Sequence, residues 1–256
     1  MLIDTHAHLY SKDFDDDRNI VIRRAIDEGV EKILIPNVDS ASIDKLLALV
    51  DDYPQVCFPM IGIHPTSVDQ NFKQELLVVE NYLNTRRFVA IGEIGMDLYW
   101  DKTFIEEQKH VFAQQIQWAK QHDLPMAIHN RDAFEETMEV LRANYFSGMK
   151  GVFHSFSGTV EQANQVIELG FKIGVSGVIT FKNSGMDKII AQIPLQHLVL
   201  ETDAPYLTPA PHRGKRNESA YVRLIAEKVA EAHQKDIKAV EEITTASALN
   251  IFSIKL

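Results

Sequence analysis

An alternation constrains this chain more than any other feature. Short runs rich in Val, Ile, Leu and Phe, each of strand length, are followed repeatedly by longer amphipathic segments. The runs fall at residues 2–5, 33–36, 56–62, 88–93, 125–129, 151–154, 171–175 and 198–203. Helical periodicity predicts helices at 18–28, 43–51, 72–83, 104–122, 134–143 and 160–169, a weaker one at 186–192, and two more at 219–232 and 237–248. Glu28-Gly29 and Leu169-Gly170 read as helix stops, because glycine enters the left-handed conformation at little cost. Strands joined through helices run parallel, and a parallel sheet needs both faces covered. The expected fold is α/β, a (β/α)8 TIM barrel filling residues 1–256 as a single domain. An open doubly wound sheet is the competing architecture. No G-x-G-x-x-G follows the first strand, so a dinucleotide-binding version gains no support.

Composition narrows the function classes. The chain is 45% hydrophobic, enough for a large core, yet no apolar run approaches the ~18 residues that cross a membrane. The start, Met1-Leu2-Ile3-Asp4, has no basic region followed by an apolar core, so no signal peptide is expected. The single cysteine, Cys57, cannot form an internal disulfide and lies in an apolar run, which reads as a buried structural thiol. These features together predict a cytoplasmic protein without a membrane partner. The formal net charge of −10 argues against a broad basic face for non-specific nucleic-acid binding. It does not exclude an anionic substrate, because bound divalent cations reverse the local sign of a site.

In a (β/α)8 barrel the chemistry sits where the strands end. The first predicted strand runs into His6-Ala7-His8 and the third into Gly62-Ile63-His64-Pro65. The fourth ends at Glu93, the fifth at His129, the sixth at His154 and the eighth at Glu201-Thr202-Asp203. The second, at Asn37, and the seventh, near Gly174, carry no such group. Residues two apart on a strand share a face, so His6 and His8 can reach one ion. A lone His-x-His is weak evidence, and so is each later histidine. The conjunction of His6, His8, Glu93, His129, His154 and Asp203, each closing a predicted strand, points to a metal site. Metal coordination also supplies partners for polar groups that would otherwise be costly inside an apolar barrel mouth.

At these residues the sequence resembles the TatD family of metal-dependent hydrolases, within the amidohydrolase-like barrels. The matching segments are Ile3-Asp4-Thr5-His6-Ala7-His8-Leu9, Gly62-Ile63-His64-Pro65, Ile91-Gly92-Glu93-Ile94-Gly95-Met96-Asp97, Ile128-His129-Asn130-Arg131, His154-Ser155-Phe156-Ser157-Gly158 and Leu200-Glu201-Thr202-Asp203-Ala204-Pro205-Tyr206-Leu207. They span essentially the whole chain. Arg213-Gly214-Lys215-Arg216-Asn217-Glu218 also fits, with Ser219 where the family often has proline. The resemblance implies two divalent metal ions, one held by His6, His8, Glu93 and Asp203, the other by Glu93, His129 and His154, with Glu93 as the bridge. It implies a nuclease acting on DNA, often from the 3′ end, or alternatively a deacylase of D-aminoacyl-tRNA. The ligand types accept Zn, Mn, Co and Ni, and leave Mg open.

Roles follow for the remaining polar residues. A two-metal site activates water and polarises the bond to be cut, with Asp203 ligating and accepting the water's proton. Glu201, two residues before Asp203, reads as a supporting group or an auxiliary base, or as a structural ion pair. His64 sits in a turn and is read as a phosphate contact, with a plain loop histidine as the alternative. Arg213, Lys215 and Arg216 form a basic cluster after the eighth strand, where barrels often bind phosphate; a solvated charge run is the alternative. Asn130 and Arg131 are placed at the rim, and Tyr99 and Trp100 are candidates for stacking on a base or for packing. DNA or another phosphodiester is the expected substrate, an ester or amide the alternative, and a non-catalytic metal-stabilised protein the third reading. No partner subunit is specified by these residues.

Overall fold

A computed structural model describes residues 1–254. Eight parallel strands pair in chain order: β1 (Leu2–Asp4), β2 (Val30–Pro36), β3 (Cys57–Ile61), β4 (Ala90–Asp97), β5 (Met126–Arg131), β6 (Gly151–Phe153), β7 (Phe171–Val175) and β8 (Leu198–Leu200). The helices between them are α1 (Arg18–Asp27), α2 (Ser40–Asp52), α3 (Phe72–Thr85), α4 (Ile105–His122), α5 (Phe134–Ala143), α6 (Val160–Glu168) and α7 (Met186–Ile190), followed after β8 by α8 (Val222–His233) and α9 (Ile237–Phe252). The expected TIM barrel is what forms. Among the described residues, no helix is long and apolar enough to cross a membrane.

The ring closes between β1 and β8 by a few backbone bonds rather than a full ladder. Thr5 N–H donates to Leu200 O at 3.0 Å, Asp203 N–H to His6 O at 2.8 Å, and His8 N–H to Ala204 O at 2.7 Å. The fully buried Asp4 buckles this seam. Its carboxylate accepts from Thr202 N–H at 2.8 Å and from Thr202 Oγ1 at 2.6 Å. Burial pushes the Asp4 carboxyl up to about 7, against the hydrogen bonds from Thr202.

Two packed layers result from the period-two alternation of the strands. Outward-facing residues such as Ile33, Ile91, Ile128 and Ile173 pack under the helices. Inward-facing Ile3, Leu34, Met60, Ala90, Ala127, Val152 and Val199 fill the barrel's lower interior. There Ala248, Ile251 and Phe252 of α9, with Ile254, join them. Helix α9 therefore runs past the predicted end at 248 because its last turn plugs the barrel floor. The polar layer lies above this plug.

Strand β4 departs most from expectation. It does not stop at Glu93 but continues to Asp97, pairing Gly95 with His129, Met96 with Asn130 and Asp97 with Arg131. A bulge between Gly92 and Ile94 shifts the register. Before it, Ile91 faces the helices and Ala90 the interior; after it, Ile94 and Met96 face the helices. Without the bulge Glu93 would share a side with Ile91. The extra residue turns Glu93 inward, as bulges do when they re-aim a side chain. Gly95 makes this possible. Its φ is +137°, and a Cβ there would lie 2.0 Å from His129 O. Gly95→Ala is expected to lower the unfolding free energy by at least about 1–3 kcal/mol, the range for strained backbone and overpacking. Denaturant unfolding checks this, and unchanged stability would refute the bulge account.

Candidate metal centre

The residues predicted at strand ends converge on Glu93, which is 3% exposed. His6 and His8 lie just past β1, and their Nε2 atoms approach to 3.2 Å. His6 Nε2 is 3.1 Å from Glu93 Oε2 and His8 Nε2 is 3.6 Å from it. Asp203, three residues beyond β8 at φ +59°, places Oδ1 3.6 Å from His8 Nε2 and 3.6 Å from His154 Nε2. The other Glu93 oxygen, Oε1, faces His129 Nδ1 at 2.9 Å, His64 Nε2 at 3.4 Å and His154 Nε2 at 3.8 Å. His129 lies within β5 rather than at its end. Three groups of donors are close enough to hold an ion: His6 with His8 and Asp203, His6 with Glu93 and His154, and His64 with Glu93 and His129.

The electrostatics call for added positive charge. Burial pushes the Glu93 carboxyl up, yet His64, His6, His154 and His129 together hold it well below the usual carboxylate range. Asp203 is likewise held low, against burial, by His154, His8 and His6. His154 is opposed by burial but raised to about 10 by Glu201, Asp203 and Glu93. Burial lowers His6 and His64. Three carboxylates thus hold a proton on His154 where a cation would serve better, and the facing Nε2 atoms of His6 and His8 cannot both donate. The donor set suits divalent metal: imidazole nitrogens and carboxylate oxygens facing one point.

The outer nitrogens of two of these rings are braced by hydrogen bonds. His129 Nε2 meets Asp97 Oδ2 at 2.8 Å, and His8 Nδ1 meets Tyr10 Oη at 3.3 Å. His154 Nδ1 lies 2.9 Å from Glu201 Oε1 without hydrogen-bond alignment, and His6 Nδ1 is buried without a partner. Glu201 is buried behind His154 and also accepts from Ser155 N–H, so it faces a histidine rather than the cavity. Asp97 and Tyr10 received no role from the sequence alone. The available signal for Tyr10 was its spacing, two residues beyond His8.

The two strands that end without a metal-capable group do other work. Just past β2, Asn37 Nδ2 donates to Gly62 O at 2.9 Å and its Oδ1 accepts from Gly62 N–H at 2.8 Å. With Gln115 accepting from Ile63 N–H at 2.6 Å, this clips the loop carrying His64. On β7, a Cβ at Gly174 would lie 2.7 Å from both Glu201 oxygens, so the glycine makes room for that carboxylate.

A cavity of about 740 Å³ opens over the centre. His64, Asn130 and Arg131 line it, as do Trp100 and Tyr206 at its mouth. Asn130 also accepts from Thr137 Oγ1 at 2.9 Å, and the Arg131 guanidinium lies 3.8 Å from the Tyr99 ring centroid. The basic cluster does not converge here. Arg213 stacks on Phe181 at 3.6 Å, and Arg216 pairs with Asp17 at 2.7 Å.

Comparison with known proteins gives the family and the fold. The family model described as TatD related DNase matches residues 3–253. An uncharacterized metal-dependent hydrolase of Bacillus subtilis, YabD, is 38% identical over 99% of this chain and 100% of its own. A Pectobacterium parmentieri protein named 3′-5′ ssDNA/RNA exonuclease TatD is 30% identical over 99% of this chain and 100% of its own. The crystal structure of YJJV, a TatD homologue from Escherichia coli, superposes with a TM-score of 0.93 at 30% identity, covering 99% of this chain and 98% of that one. The chain belongs to the TatD-related DNase family of metal-dependent hydrolases.

Braced histidines yield a specific expectation. Asp97→Asn and Glu201→Gln should each weaken metal affinity by about 10–100-fold, the usual cost of losing an outer partner. Metal titration of the stripped protein measures this. Wild-type affinity in both variants would show that the contacts do not support ligation.

Proposed function

We propose that this TatD-family hydrolase holds two divalent cations and removes nucleotides from single-stranded nucleic-acid ends, acting as a 3′ deoxyribonuclease. One observation carries the reading: the two oxygens of Glu93 face different donors, Oε2 facing His6 and His8, and Oε1 facing His129, His154 and His64. A single carboxylate so placed would contribute to holding both cations, and Asp203 would join His6 and His8 in holding one. Two cations in such a site supply a water of near-neutral pKa and neutralise the charge that builds on a phosphodiester.

The chain's own residues do the rest. Asp203 lines the cavity, is held ionised by the neighbouring histidines, and accepts the proton of the attacking water. Glu201 and Asp97 fix the rings of His154 and His129. His64, held by its clipped loop, contacts a phosphate oxygen. Among the described residues Arg131 is the one Arg or Lys lining the cavity, and it receives the phosphate next to the bond cut. Exposed Trp100, at 69%, and Tyr206, at 57%, offer faces for unpaired bases. Because Glu93 and His6 lie deep in the barrel mouth, a strand end reaches them where the middle of a duplex does not. The name of the Pectobacterium relative supports the same substrate and polarity.

The experiment offers stripped and metal-loaded protein a 3′-labelled single-stranded oligonucleotide, a D-aminoacyl-tRNA and a p-nitrophenyl ester. Loaded protein should shorten the oligonucleotide from its 3′ end, and stripping should abolish this. Preferential ester or aminoacyl cleavage would overturn the nuclease reading. Asp203→Asn should lower kcat by about 10²–10⁴-fold, the typical cost of a lost base, with KM little changed. Unchanged turnover at full metal occupancy would remove Asp203 from that role. His64→Ala should keep both metals and raise KM; loss of a metal on elemental analysis would instead make His64 a ligand.

A further inference from the structure

The loop after β8 does not end at the cavity. Val178 and Leu207 line the cavity wall, and the segments that carry them run outward together. Gly177 packs against Leu207 O so closely that a Cβ would lie 2.0 Å from it. Ala210 N–H donates to Thr180 Oγ1 at 2.9 Å. Thr180 and Ala210 then line a second groove of about 430 Å³, together with Phe181, Lys182, Ser184 and Arg213. The two concavities are thus lined by neighbouring residues of the same two segments, Val178 and Leu207 in one, Thr180 and Ala210 in the other.

Their charges differ. The cavity is lined by Asp39, Glu93, Asp97 and Asp203 with Arg131, whereas among the described residues the only charged groups lining the groove are Lys182 and Arg213. Both are exposed, on a chain whose net charge is −10. Arg216 pairs with Asp17 and Arg24 with Glu218, but Lys182 and Arg213 have no carboxylate partner among the described residues. Arg213 is also held in place. Its guanidinium lies 3.6 Å from the Phe181 ring centroid, and Nη1 donates to Thr208 O at 2.9 Å. A guanidinium fixed by stacking has already lost much of its side-chain freedom, which lowers the cost of binding an anion. Its remaining N–H groups match the oxygens of a phosphate.

We infer that this groove binds a backbone phosphate of the nucleic-acid strand that trails out of the catalytic cavity. The inference rests on the nuclease reading of the cavity, and extends it to a second contact point on the same substrate. An acidic protein needs such a local cationic track to hold a polyanion beyond the nucleotide being removed.

The test uses the metal-loaded full chain as wild type, Lys182→Glu, Arg213→Gln and the double variant. One readout is the ratio of kcat/KM for a single-stranded decamer to that for a dinucleotide. The other is the salt dependence of affinity for a hydrolysis-resistant phosphorothioate decamer. Wild type should favour the decamer, and the double variant should lose most of that advantage. Its salt slope should fall by about 0.7, the value for one phosphate contact to a single strand. Arg213→Lys should restore part of the slope, because charge returns without the planar fork. An unchanged decamer advantage and slope in a double variant of wild-type Tm would overturn the groove inference alone. Failure of wild type to cleave either nucleic acid would overturn the nuclease reading, and the salt slope would then decide the groove by itself.

Discussion

A carboxylate sealed from water must be answered by positive charge, and Glu93 sets that demand for the whole barrel mouth. Histidines from several strands face its two oxygens, and Asp203 joins them from the far end of the sheet. No element acting alone could bring these groups together. They meet because eight strands of matched direction end at one rim, over a floor filled by one apolar residue from each of seven strands. The apolar layer excludes water from below, and the outer partners of the rings fix which nitrogen points inward.

Much of this was legible in the residue order. The eight strand-like runs and the six metal-capable residues beside them locate both the barrel and its working end. The position of Glu93 was less legible. Its inward direction comes from a bulge in the pairing of β4 with β5, which is a relation between two strands, and only Gly92 and Gly95 hint at it locally. Asn37 and Gly174 were silent for a similar reason. One clips a neighbouring loop and the other leaves space for Glu201, so their roles exist only in contact with residues elsewhere in the chain. The cluster of Arg213, Lys215 and Arg216 looks like one patch when read along the chain. Folding parts it, because Arg216 finds Asp17 while Arg213 finds Phe181.

The charge pattern shows how an acidic chain can address an anion. Net charge governs encounter at long range, but the cavity and the groove each present their own local field. The acidic lining around Glu93 suits cations, and the cations in turn suit phosphate, while the groove beyond Val178 is positive without them.

The seam between β1 and β8 has a consequence in time. His6 and His8 leave the ribosome early, and Asp203 follows almost two hundred residues later. Until β8 is made, Thr5 and His8 lack the backbone partners Leu200 and Ala204, and Asp4 lacks Thr202. Closing so long a loop costs little more than closing a shorter one, since the entropy grows only with the logarithm of length. The closing contacts simply do not exist earlier. The donor set around Glu93 is therefore complete only once Asp203 has been made, and the floor beneath it only once α9 has followed.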